Sequence, residues 1–183
     1  MRDSTPTPAV PVGTRARIAA GTPTWAVAAA YVAVLSVVPS AIWRTAVGLG
    51  APLGWSDDQL RAQQIPGWGT AYVIGLSVVS IAAAALTLGL VHRWGEVVPP
   101  AVPFVGGRRV PVLVGVVPAV VGASVVVVLC VQSVASWDRV SGFADDPDSG
   151  WARLMIACYL PALLWGPLLL AVTWVYWRRR TTS

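Results

Sequence analysis

Four apolar stretches, at about residues 25–43, 68–91, 110–134 and 152–177, limit what this chain can fold into. They are 19 to 26 residues long and contain no Asp, Glu or Lys and no centrally placed Arg. At about 1.5 Å of rise per residue, each helix is long enough to cross roughly 30 Å of hydrocarbon. A closed barrel is the other way to satisfy every backbone group in lipid, but these stretches lack its in–out alternation. The predicted fold is therefore all-α: a polytopic transmembrane bundle of four helices. Composition agrees, with 56% hydrophobic and 11% charged residues, against about 45–50% and about 25% in soluble domains. So little charge excludes a soluble enzyme, a disulfide-stapled secreted module and a disordered tail.

Between these stretches the sequence changes character. Residues 1–23 mix Pro, Thr, Gly and Arg without helical period and read as a flexible cytoplasmic tail, leaving 24–177 as the transmembrane domain and 178–183 as a second short tail. A signal peptide is the rival reading of the first span, with Arg15 and Arg17 as its charged region and Val38-Pro39-Ser40 as a small-residue site; the apolar stretch is too long for it. Residues 44–66 read as a polar loop with Arg44, Asp57, Asp58 and Arg61. The middle loop, His92 to Pro111, holds four Pro, three Gly and three Arg, so it is a structured turn at the membrane surface rather than a span. Pro118 lies in the third span, and Pro161 with Gly166-Pro167 breaks the fourth.

All 13 basic residues are Arg; Lys and Asn, both with AT-rich codons, are absent, which points to a GC-rich bacterial genome. Nine arginines (2, 15, 17, 93, 108, 109, 178, 179 and 180) fall on one side of the predicted spans and four (44, 61, 139 and 153) on the other. The positive-inside rule then puts both termini in the cytoplasm. Trp43, Trp68, Trp137 and Trp151 mark the outer interface and Trp25, Trp94, Trp174 and Trp177 the inner one, with Trp165 mid-membrane. The sequence thus reads as a multi-pass protein of the bacterial cytoplasmic membrane. No basic stripe interleaved with aromatics points to nucleic acid.

The middle loop has the most distinctive chemistry. Glu96 is its one acid, among His92, Arg93, Arg108 and Arg109. Arg93, Glu96, Arg108 and Arg109 form a candidate anion or lipid-phosphate contact, with the two adjacent arginines as forked donors and Gly106-Gly107 permitting close backbone approach. The alternative is that these arginines set topology and Glu96 pairs with one of them. Asp145-Asp146-Pro147-Asp148 invites a calcium reading, but the glutamate an EF-hand needs is missing, since twelve positions counted from Asp146 end at Ala157. Cys130 and Cys158 fall at similar depth in neighbouring spans, where they form either a pair or two small apolar side chains; no C-x-x-C supports redox chemistry. The span hydroxyls are expected to bond back to their own helices. The small-residue series Gly115-x3-Ala119-x3-Ala123, Ala71-x3-Gly75 and Ala85-x3-Gly89 are expected to pack helices within the chain. No catalytic constellation, metal set or cofactor motif is present, and spans without an acid or a central Arg argue against a proton-coupled or ion-coupled transporter.

The run His92-Arg93-Trp94-Gly95-Glu96-x2-Pro99-x3-Pro103-x2-Gly106-Gly107-Arg108-Arg109-Val110-Pro111 resembles the middle loop of a group of uncharacterised four-span integral membrane proteins of actinobacteria. Leu164-Trp165-Gly166-Pro167-Leu168 and Tyr176-Trp177-Arg178-Arg179-Arg180 add to the likeness, which covers about a fifth of the chain. It implies common descent and a four-span fold, and carries no activity with it. The function expected from the sequence is that of a noncatalytic accessory or regulatory membrane subunit. Its partners would be the bilayer, anionic lipid, and another membrane protein or a second copy. The alternative is a small transporter or lipid-handling protein with a site near the middle loop, between Trp165-Gly166-Pro167, Pro118 and Glu96. A membrane enzyme would need the cysteine pair or Glu96 to be reactive.

Overall fold

The computed structural model describes residues 18–97, 106–135 and 149–182. The readings that fall on residues 1–17, 98–105, 136–148 and 183, the aspartate cluster at 145–148 among them, lie outside that range. The described chain is helical: α1 (Thr24–Gly48), α2 (Asp57–Ala62), α3 (Trp68–Leu86) continued by a 3-10 turn (Thr87–Leu90), a short 3-10 turn (Arg93–Gly95), α4 (Val112–Ala135), α5 (Gly150–Tyr159), a 3-10 segment (Leu160–Leu164), and α6 (Trp165–Thr181). Among the described residues there is no strand, only two isolated antiparallel bridges, Ile18 with His92 and Val97 with Arg109. Four helical units are long and apolar enough to span a membrane: Thr24–Gly48, Trp68–Leu90, Val112–Gln132 and Gly150–Thr181. This is the architecture of a multi-pass membrane protein.

Local chemistry explains where these units depart from plain α-helix. Pro161 and Pro167 lack an amide hydrogen and crowd the carbonyls one turn back, and the chain between them tightens into the 3-10 segment. Gly166 follows, with its backbone against Val127 and the Ala123 carbonyl of α4, where a side chain would not fit. Val-rich α4 stays helical because an unsatisfied amide in lipid costs more than a weak helix preference. Five of the span hydroxyls behave as expected: Ser36, Ser40, Ser77, Ser80 and Thr173 donate to carbonyls of their own helices, whereas the buried Thr87 hydroxyl meets no partner among the described residues.

The spans pack as a row rather than a closed square. α3 lies on α1, α1 on α6, and α6 on α4, so α1 and α6 form the centre and α3 and α4 the edges. The difference in burial is large: 39% of the apolar window of α1 is buried against 6% of that of α4. Ala30, Leu90, Val91, Ala123, Leu169, Val172 and Tyr176 make the main core. The series Gly115-x3-Ala119-x3-Ala123 packs inside the chain as expected, with Gly115 on the Tyr176 ring and Ala123 fully buried. Ala71 and Gly75 of α3 instead face outward, with nothing within 4 Å of Gly75.

The segment 49–67 is not the open polar loop its sequence suggests. Leu60 and Ile65 are buried against Trp43 and Val47, with Leu53, Trp55, Met155 and Cys158 around them, so the segment lies as a cap over the end of α1. Its helix α2 starts in a reciprocal capping box, the Ser56 hydroxyl accepting from the Gln59 amide and the Gln59 side-chain oxygen accepting from the Ser56 amide. Burying Leu60 and Ile65 contributes roughly 1.5–3 kcal/mol each. We call this end of the bundle the cap face and the opposite end, where the described residues begin and finish, the tail face.

Candidate functional site

At the tail face, four segments meet on one arginine of α6. The Arg179 guanidinium forms an ion pair with Glu96 at 2.6 Å and donates to the carbonyls of Ala20, at 3.0 Å, and Leu90, at 3.4 Å. Only 10% of the Arg179 side chain and 23% of the Glu96 side chain are exposed, so the pair is screened far less than a surface bridge. Arg180 donates to the Val110 carbonyl at 2.7 Å, at the start of α4. Arg179 and Arg180 both lie over the Tyr176 ring, whose hydroxyl donates to the Gly95 carbonyl at 3.3 Å. Gly95 allows this closeness: its backbone rests directly on the Gly89 carbonyl, where a Cβ would overlap. The last residues of the expected tail are held here as well, with Ala19 buried and its amide donating to the Val91 carbonyl. His92 donates from Nδ1 to the Leu88 carbonyl at 2.8 Å and stands edge-on to Tyr31.

The candidate middle-loop residues are therefore split. Glu96 turns inward to Arg179, not to one of its loop neighbours. Arg93, Arg108 and Arg109 are exposed, the last two on a turn that the Val97–Arg109 bridge and the Val110 amide to Glu96 carbonyl bond close. Their reach toward an anion stays open, whereas the Glu96 carboxylate is committed. The partner of Glu96 was legible in principle. Leu169, Val172, Thr173 and Tyr176 form the buried face of α6, and continuing that spacing brings Arg179 and Arg180 to the same face.

The cap face holds a residue that the sequence reading put in a loop. Arg44 lies inside α1, four residues before its end. It also continues the packing stripe of that helix: Ala26, Ala30, Ala33, Val37, Ser40, Arg44 and Val47 recur at alternating steps of four and three, and all but Arg44 are buried. Because helical side chains lean toward the N-terminus, Arg44 points down into the bundle, away from the nearer interface. Its Nε donates to the Ser77 hydroxyl at 3.4 Å and its Nη2 to the Ser80 hydroxyl at 3.5 Å, both on α3, while its guanidinium lies 5.9 Å from the Tyr159 ring centre at the end of α5. Ser77 is nine residues into α3 and Tyr159 nine residues into α5, so two helices independently put the group about 13 Å below their starts.

Arg44 thus belongs to the last turns of a span helix rather than to the loop after it. An arginine at the centre of a span costs roughly 2.5–3.5 kcal/mol on translocon-insertion scales, and less toward a span end. Hydroxyls that already donate to their own backbone, and an aromatic face, lower that cost without supplying a negative charge. The acids are elsewhere. Glu96 is bound at the opposite face, Asp57 and Asp58 are exposed on α2, and no described acid lies near the Arg44 guanidinium.

The remaining sequence candidates separate. Cys130 and Cys158 are both free thiols. Cys130 lines a shallow apolar groove of about 340 Å³ with Val131, Ala135 and Leu163, whereas Cys158 packs in the cap cluster beside Trp43. Similar depth placed them level but on different faces of the row. Among the described residues no three His, Cys, Asp or Glu side chains come together as metal ligands. No protein-family model matches the chain, and no curated protein or solved structure matches it either. The candidate groups are thus a basic turn at one face and the Arg44 guanidinium near the other.

Proposed function

We propose that the protein is a noncatalytic integral membrane subunit that acts through a partner protein. In this reading it sits in the bacterial cytoplasmic membrane with both termini inside, in keeping with the excess of arginine on that side. Its likeness to four-span actinobacterial proteins belongs to the same proposal. The observation that carries the reading is the division of labour at the tail face. Arg179 binds Glu96 and ties α6 to the loop, which leaves Arg93, Arg108 and Arg109 exposed on a braced surface. A basic turn beside the membrane suits the acidic surface of a partner better than it suits catalysis.

The test is site-specific photocrosslinking from position 108 in native membranes, followed by mass spectrometry. A protein adduct that weakens when Arg93 and Arg109 are replaced by Gln is the expected result. Adducts to phospholipid alone would replace this reading with the second one, a lipid-handling protein. That second reading is favoured by the exposed Arg108-Arg109 pair beside Gly107, which has a positive φ of 77° and open space around its backbone.

A further inference from the structure

We infer that Arg44 is the intramembrane seat for an acidic side chain on a partner's transmembrane helix. The inference rests on the reading of the protein as a subunit acting through partners, and it names the contact within the bilayer. Three observations carry it. The guanidinium stands on the packing stripe of α1, flanked by α3 and α5, and the polar groups described around it are the neutral hydroxyls of Ser77, Ser80 and Tyr159. The rim is open, for Arg44 and Ser80 are half-buried and Tyr159 is 39% exposed. No described acid of this chain supplies the countercharge, and a charged group held in lipid is ordinarily paired with one.

Depth selects the occupant. A lipid phosphate would have to leave the headgroup layer and descend about 13 Å alongside α3 to meet the guanidinium. An Asp or Glu on a transmembrane helix arrives at that depth with its backbone already satisfied. It would meet the guanidinium in a charge-assisted contact, in exchange for one of the neutral hydroxyls around it. The two serines and Tyr159 hold the guanidinium toward this opening, so they act as positioning residues.

The experiment uses the full chain in its native membrane, with a photocrosslinking residue at Leu160 or, separately, at Val79. These are lipid-exposed neighbours of Tyr159 and Ser80. The expected result is a protein adduct whose captured peptide comes from a membrane span containing Asp or Glu. Its yield should fall about thirtyfold or more in Arg44→Gln, recover in part in Arg44→Lys, and fall equally when the partner's acid is neutralised. An adduct insensitive to Arg44→Gln, an adduct to lipid alone, no adduct at all, or an equal loss on replacing Asp138, Asp145, Asp146 and Asp148 of this chain by Asn would each overturn the inference. Thermal melting of both Arg44 variants guards against misfolding, because Arg44→Lys keeps the charge. Crosslinking from position 108 separates the two proposals. If it persists while the Leu160 adduct ignores Arg44, the partner remains and only the intramembrane seat is lost.

Discussion

The two faces of the bundle use the same side chain in opposite ways. At the tail face, Arg179 meets a carboxylate of its own chain and backbone carbonyls from two other segments, so charge and hydrogen bonds are settled within the molecule. At the cap face, Arg44 meets the hydroxyls of Ser77, Ser80 and Tyr159, and among the described residues no carboxylate supplies its countercharge. The first arrangement holds a fold together. The second is a cost that a monomer in lipid has no reason to carry, and it becomes intelligible when something outside the chain supplies the negative charge.

Mutation can break or sharpen this contrast. The largest effect is expected for Glu96→Gln, which strands a mostly buried guanidinium. A loss of about 2–4 kcal/mol in thermal or denaturant unfolding in nanodiscs is expected, allowing for partial exposure of the carboxylate. In a double-mutant cycle with Arg179→Gln the two losses should be far from additive, and additive losses would show that the pair does not act as a unit. Gly95→Ala comes next, at about 1–3 kcal/mol, because its Cβ would overlap the Gly89 carbonyl; Gly75→Ala, with open space around it, serves as the matched control. Arg44→Leu should go the other way, stabilising the isolated protein by about 1 kcal/mol as the desolvation cost disappears. A clear destabilisation would mean that Arg44 is a structural residue like Arg179. The smallest effect belongs to Asp58→Asn: its bridge to Arg61 leaves the two side chains 94% and 75% exposed, so no measurable shift in melting temperature is expected.

The number and approximate limits of the spans were legible in the sequence because length and the absence of charge are properties of a linear stretch. The setting of Arg44 and the partner of Glu96 were less legible, because both depend on angle around a helix rather than on position along it. Arg44 looked like a span end since polar residues follow it. Yet the four-and-three spacing from Ala26 to Val47 already set it on the packed face, and Leu53, Leu60 and Ile65 were apolar enough to form a cap above it. Arg178, Arg179 and Arg180 were read together as a topology signal, which hid that two of them continue the buried face of α6. The cysteines show the same limit in reverse, since equal depth says nothing about facing direction.

The row of helices also sets the order in which the molecule can be made. Its centre consists of the first and fourth spans, α1 and α6, which are the farthest apart in the chain, while α3 and α4 each rest on one of them. A contact of such long sequence separation forms late. Until the fourth span is inserted, α1 waits in the bilayer with its alanine stripe uncovered on the α6 side and Arg44 without Tyr159, and the loop carrying Glu96 lacks its counterion. In a growing chain, synthesis of α6 is therefore the step that seals the core and anchors the tail face at once. Any factor that shields α1 during that interval must tolerate an arginine in lipid.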